Sequence, residues 1–272
     1  CRRQRQMCIR DRLYRDPATN EYLPNLATSY NWVDSKTLEF DLRKGVTFHN
    51  GEKFDADDVV YTLTYISNPE NGAKPARNVN WWDSAEKLGD YKVRLNLTKE
   101  FPAALEFLSG PIVMYPNEYY AEVGPEGMAI KPVGTGPYAV TSVEPGKRYK
   151  FKKNDNYHAS SPKGQANIGN IVIRTIAESN TQLAELFSGG VDWIWKVKPD
   201  QAQRISAQGQ FTVKNASTMR IGYLNFDAMG RHSENPMNDV RVRRAIAHAI
   251  DRESIVNALV GGESIVVHSL CF

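Results

Sequence analysis

Apolar and polar positions alternate strictly through Leu38, Glu39, Phe40, Asp41, Leu42 and Arg43. That period of two predicts a half-buried strand, running into Gly45 and followed by a turn at Asn50-Gly51. Asp55 then stands as a helix N-cap, with Asp58 at the capping-box position. Behind them Val59, Val60, Leu63 and Ile66 form an apolar stripe of helical period. Tyr91, Val93, Leu95 and Leu97 alternate with Lys92, Arg94 and Asn96, which predicts a second half-buried strand. A short helix is expected over Phe101 to Leu108, and Pro111, Pro116 and Gly124 break up the stretch after it.

The pattern resumes after the segment VGTGPY, residues 133–138. Strands are expected at 138–143 and 148–152, joined by a turn at Glu144-Pro145-Gly146. A strand at 171–176 leads to Ser179, and Gln182 three residues later suggests a capping box. The helix so opened carries Leu183, Leu186 and Phe187 on one face and stops at Gly189-Gly190. VDWIW, 191–195, reads as a returning strand, and strand–helix–strand in so short a span predicts an open α/β sheet. A further strand is expected at 219–227. A helix over 239–253 would turn Val242, Ala245, Ile246 and Ala249 inward, and Asp251 would cap a second helix ending at Gly261-Gly262.

Length allows a sizeable core and two domains. Composition is that of an ordinary globular chain, with 41% hydrophobic and 24% charged residues. The net charge of +3 changes the picture little. Residues 1–12 hold five arginines (Arg2, Arg3, Arg5, Arg10, Arg12) and one acid, Asp11; the rest of the chain has 29 basic and 30 acidic residues. A near-neutral body argues against nucleic acid as a partner, and residues 1–12 read as a disordered or non-native arm. Cys1 and Cys8 fall in that arm and Cys271 is next to last, so neither a disulfide framework nor a thiolate metal site is expected.

Several segments resemble, in order, the bacterial extracellular solute-binding proteins of family 5. They are LPNLATSYNWVD (23–34), LRKGVTFHNG with ADDVVYTL (42–63), VGTGPY, AELFSGGVDWIW (184–195) and NDVRVRRAIAHAIDRE (238–253). The resemblance implies a mixed α/β fold: a class II periplasmic-binding-protein lobe with a small accessory domain, truncated before most of the second lobe. It divides the chain at 13–131 (accessory domain), 132–235 (part of lobe one) and 236–272 (start of lobe two). It further implies a non-enzymatic substrate-binding component of an ABC importer, capturing peptides outside the inner membrane. Such a protein is periplasmic, or lipid-anchored in a Gram-positive source. It has no cofactor or metal, is a monomer at full length, and has the permease's transmembrane subunits as its partner. Nickel complexes, haem and oligosaccharides are the alternative ligands. The aspartate with which dipeptide- and oligopeptide-binding relatives hold the ligand's ammonium lies in the part of lobe two expected to be missing.

The candidate ligand contacts are Gly222, Tyr223, Leu224 and Asn225 on the strand expected at 219–227, where Tyr223 and Asn225 would share a face. An extended peptide can pair with such a strand while side-chain pockets select it. Thr135 and Gly136 lie in a loop where glycine permits close approach, or in a tight connection between domains. Trp193 either lines a cleft, with Trp195, or packs in the core. Trp81-Trp82 could sit at a cleft mouth or cover the accessory domain. A hydrolase centred on His49 with Asp55 or Asp57 is the competing reading, against which Asp55, Asp57 and Asp58 stand at a helix start where carboxylates meet the dipole.

Overall fold

The computed structural model describes residues 12–73, 78–110, 112–216, 220–231, 234–260 and 264–268. The three cysteines, Pro111, Met219, His232 and Gly261-Gly262 lie outside them, as does the expected arm apart from Arg12. Arg12 is fully buried and its carbonyl accepts the Ala27 N–H, so this last residue of the expected arm belongs to the fold. The chain forms two compact units, one reaching to Thr175 and the other beginning at Ile176.

In the first unit, β1 (Leu13–Arg15) pairs with β2 (Tyr22–Pro24). A four-stranded antiparallel sheet follows, in the order β3 (Ala27–Asp34), β4 (Thr37–Leu42), β6 (Lys92–Leu97), β5 (Trp82–Gly89). The alternation decides which face goes inward. Leu38, Phe40 and Leu42 of β4 and Val93, Leu95 and Leu97 of β6 are buried. Helix α1 (Ala56–Ser67) lays Val59, Leu63 and Ile66 into the same core, each full burial being worth about 1.5–3 kcal/mol. Its start is the expected capping box. Asp55 accepts the Asp57 N–H, and Asp58 accepts the Asp55 N–H at 2.9 Å.

Helix α2 (Ala104–Leu108) is followed by α3 (Asn117–Ile130), in the stretch expected to be broken up. The breakers act locally. Pro116 stands just before the helix, and Gly124 (φ 63°, ψ −171°) splits it so that Pro125 begins its second half. Strands β7 (Tyr138–Glu144), β8 (Arg148–Lys153) and β9 (Asn170–Arg174) form an antiparallel sheet. Val133 and Phe151 belong to the same hydrophobic cluster as Leu38 and Leu63, with Tyr138, Val140, Tyr149, Ile171 and Ile173 packed against it. Packing is therefore continuous across residue 131, where a domain boundary was expected. Trp81 and Trp82 are buried in this core rather than at a cleft mouth.

The second unit is built differently. Its buried hydrophobic cluster consists of Leu183 and Leu186 of α4 (Ser179–Phe187) and Ile205 of α5 (Pro199–Ala207). Glu178, not Ser179, caps α4 by accepting the N–H groups of Asn180 and Thr181, while Gln182 donates to the Ile176 carbonyl. Residues 191–195 do not return as a strand, and β9 instead takes an antiparallel place beside β8. The strand expected at 219–227 is also absent over its described residues, 220–227. Alternation makes a strand only where a second strand completes the ladder. Among the described residues of this unit there is none. Helix α6 (Val240–Ala249) is capped by Asp239 and half-buries Val242 and Ile246, leaving Ala245 and Ala249 exposed. Asp251 caps the short α7 (Arg252–Ser254) as expected, and a π-helical stretch runs from Ile255 to Val260.

Candidate functional site

The sequence-derived candidates fall into one group in each unit. In the first, the turn after β4 is tied to the Gly134-Thr135-Gly136 loop ahead of β7. The His49 N–H donates to the Gly134 carbonyl at 2.9 Å, and His49 Nε2 lies 2.9 Å from the Gly136 oxygen. A carbonyl can only accept, so Nε2 carries the proton. Asn154 Nδ2 donates to the same Gly136 oxygen at 3.1 Å. Asn154 was missed in the sequence, although an Asn directly after a strand signals a side-chain turn. Its Oδ1 indeed accepts the Asn156 N–H. Thr135 is 2% exposed and Gly136 is buried. Within this unit the loop is a clamped connection. Thr135 Oγ1 and His49 Nδ1 are buried without a protein hydrogen-bond partner.

Burial lowers the pKa of His49, against the Gly136 carbonyl that favours the protonated ring. The unfolded chain therefore takes up this proton first as pH falls below about 6.5, and folding stability is lost on acidification. We expect His49→Gln to lie below wild type by about 1 kcal/mol at neutral pH. The gap should narrow from pH 7 to pH 5 in denaturant midpoints, and a pH-independent gap would refute the neutral buried ring.

The acids near His49 serve structural ends. Asp55 caps α1, Asp57 pairs with Lys87 at 2.8 Å, and Asp58 accepts the N–H groups of Asp55 and of Asn117 at the start of α3. Burial pushes the Asp58 carboxyl up to about 7, against the two N–H donors. None of these contacts pairs a carboxylate with the His49 ring, which a histidine base would use for orientation. An open depression of about 500 Å³ lies on the outer side of α1, lined by residues including Tyr61, Tyr65, Asn68 and Asn117. Among the described residues no cluster of three or more His, Cys, Asp or Glu could hold a metal ion.

In the second unit the candidates are at the surface. Trp193 is 70% exposed and its ring meets that of Trp195 edge-on at 5.5 Å, so neither fills the core. Gly222, Tyr223, Leu224 and Asn225 are all exposed in irregular chain. Tyr223 and Leu224 are adjacent and equally open, so the expected alternation of faces does not hold there. The segment offers exposed backbone with an aromatic and an amide side chain. Those are the groups an extended amide ligand would use.

Comparison with known proteins adds to this geometry. The family model described as bacterial extracellular solute-binding proteins, family 5 middle, matches residues 21–272. The dipeptide-binding protein of Escherichia coli K12 is 23% identical over 275 residues, covering 93% of this chain and 50% of that protein. The glutathione-binding protein GsiB of Pectobacterium atrosepticum is 26% identical over 239 residues, covering 87% and 45% respectively. Among solved structures, NikZ from Campylobacter jejuni in complex with Ni(L-His) superposes with a TM-score of 0.79 at 25% identity. That match covers 93% of this chain and 50% of NikZ. The chain thus spans about half the length of the relatives it matches.

Proposed function

This chain belongs to the bacterial extracellular solute-binding proteins of family 5, and from that premise we propose that it captures a small solute for an ABC importer. The observation carrying the proposal is the match of one family model across residues 21–272 of a mixed α/β fold. The solute is a peptide or another amino-acid derivative. A dipeptide, glutathione and Ni(L-His), named for three similar proteins, share amide or α-amino-acid chemistry. The protein works outside the inner membrane and hands its ligand to the permease, binding without transforming it. Tyr223, Asn225 and the Gly222 and Leu224 backbone are the contacts we assign in the second unit, with Trp193 as an apolar wall. Lobe closure on the ligand would present the loaded form to the permease.

Titrating the full-length gene product calorimetrically with a dipeptide, glutathione and Ni(L-His) tests this reading. At least one should bind, and Tyr223→Ala should weaken that binding about tenfold or more. Absence of heat with all three, together with an unchanged tryptophan spectrum, would overturn it.

A further inference from the structure

The four-stranded sheet ends differently at its two edges. Strand β5 carries Asp83, Glu86 and Lys87, all exposed, and charges of this kind guard an edge against further pairing. Strand β3 carries none from Ala27 to Val33, and every one of its residues after Ala27 is exposed. Tyr30 stands opposite Phe40 and Trp32 opposite Leu38, so both rings lie on the core face of the sheet. Phe40 and Leu38 are buried, yet Tyr30 is 37% exposed and Trp32 36%. The core thus stops one strand short of this edge.

The backbone is open there too. The Arg43 N–H donates to the Leu26 carbonyl and the Leu42 N–H to the Tyr91 carbonyl, so alternation turns Asp41 and Glu39 towards β3. The Asp41 carbonyl indeed accepts the Thr28 hydroxyl. Ser29 and Asn31, opposite Asp41 and Glu39, therefore spend their backbone groups on β4, and Tyr30 and Trp32 point theirs outward. Among the described residues no backbone group meets them. We propose that β3 of a second copy of this chain does, running antiparallel about a two-fold axis through Asn31. Spacing selects that occupant. Tyr30 and Trp32 are equally far from Asn31, so the outward groups of each meet those of the other in the second copy. The same register sets tyrosine against tryptophan twice across the new ladder, with no like charges opposed. The irregularities between β3 and β4 fall outside Ser29–Trp32, which leaves this centre in regular register. Pairing of this kind is closed, since it uses up the one unguarded edge of each copy. A short ladder makes a small interface, so the dimer is reversible, in contrast to the monomer that the resemblance implies.

Sedimentation velocity of the full chain, over a series from micromolar to submillimolar, tests the proposal. Wild type should pass reversibly from monomer to dimer. Trp32→Lys should weaken the dimer about tenfold or more, and Tyr30→Lys should do the same if the first variant disturbs folding. Leu88→Lys, on the guarded β5 where Leu88 is 40% exposed, should leave association near wild type. Cross-linking reads the register in a background where Cys1, Cys8 and Cys271 are replaced by serine. Asn31→Cys should join two chains under an added mild oxidant, because residue 31 faces its own copy at about 4.5 Å in a non-hydrogen-bonded pair. Val33→Cys, which would face Ser29, should not. The proposal is overturned by a monomer at every concentration, by open-ended assembly, by an equal loss with Leu88→Lys, or by cross-linking as ready at Val33→Cys as at Asn31→Cys. None of these outcomes bears on solute capture, which calorimetry reads separately.

Discussion

Trp81→Ala should destabilise the first unit by about 4 kcal/mol. Trp81 is 1% exposed, stacks on Phe101 with centroids 4.7 Å apart, and meets Trp82 edge-on at 4.7 Å. Its indole N–H donates to the Asn78 carbonyl at 3.0 Å. Alanine would leave a cavity among Trp82, Phe101 and Phe107 and strand that carbonyl. Trp195→Ala supplies the contrast. The same atoms are removed from a ring 53% exposed, and the loss should stay below about 1 kcal/mol. Urea unfolding of both variants checks the pair, and similar losses at the two sites would contradict the burial of Trp81.

The second large effect is a dependence on pH through Asp58. Its carboxyl is raised from an ordinary value of 3.8 to about 7, chiefly by desolvation, with the charges of Asp55 and Glu52 adding to the rise. The folded state holds this proton more tightly than the unfolded chain. The stabilisation is therefore complete below about pH 4 and is lost as pH rises through about 7. That span corresponds to about 4 kcal/mol at most. Other carboxylates oppose the trend, so the difference between wild type and Asp58→Asn isolates it. Wild type should hold its largest advantage near pH 4, and the advantage should shrink steadily towards pH 8. A constant difference would show that the two N–H donors, from Asp55 and Asn117, keep Asp58 ionised throughout.

Where a partner strand or a packed helix completed a segment's periodicity, the elements were legible from residues alone. The Leu38–Leu42 and Val93–Leu97 alternations became paired strands of one sheet, and Asp55 with Asp58 formed the capping box they suggested. The same alternation failed at Val191–Trp195 and Gly222–Asn225, because no described strand of the second unit supplies a ladder. Ser179 looked like a cap because Gln182 stands three residues on. Glu178, one residue earlier, reaches the free N–H groups with its longer side chain. Among the site candidates, the aromatic and amide types at Trp193, Tyr223 and Asn225 could be picked out in the sequence. Their exposure could not, since it depends on what packs nearby.

By itself, the order of amino acids determined the family, the polarity of two strands of the four-stranded sheet, β4 and β6, and the first turn of its main helix. These depend on spacing within one element, where two- or 3.6-residue periods dictate which side chains share a face. Only the tertiary structure decided that Trp81 is core and Trp193 surface, that His49 and Asn154 share the Gly136 carbonyl, and that Arg148 and Arg174 face each other across a ladder. Those facts join residues distant from one another in the chain, or depend on what packs around a ring. Local periodicity carries no record of either.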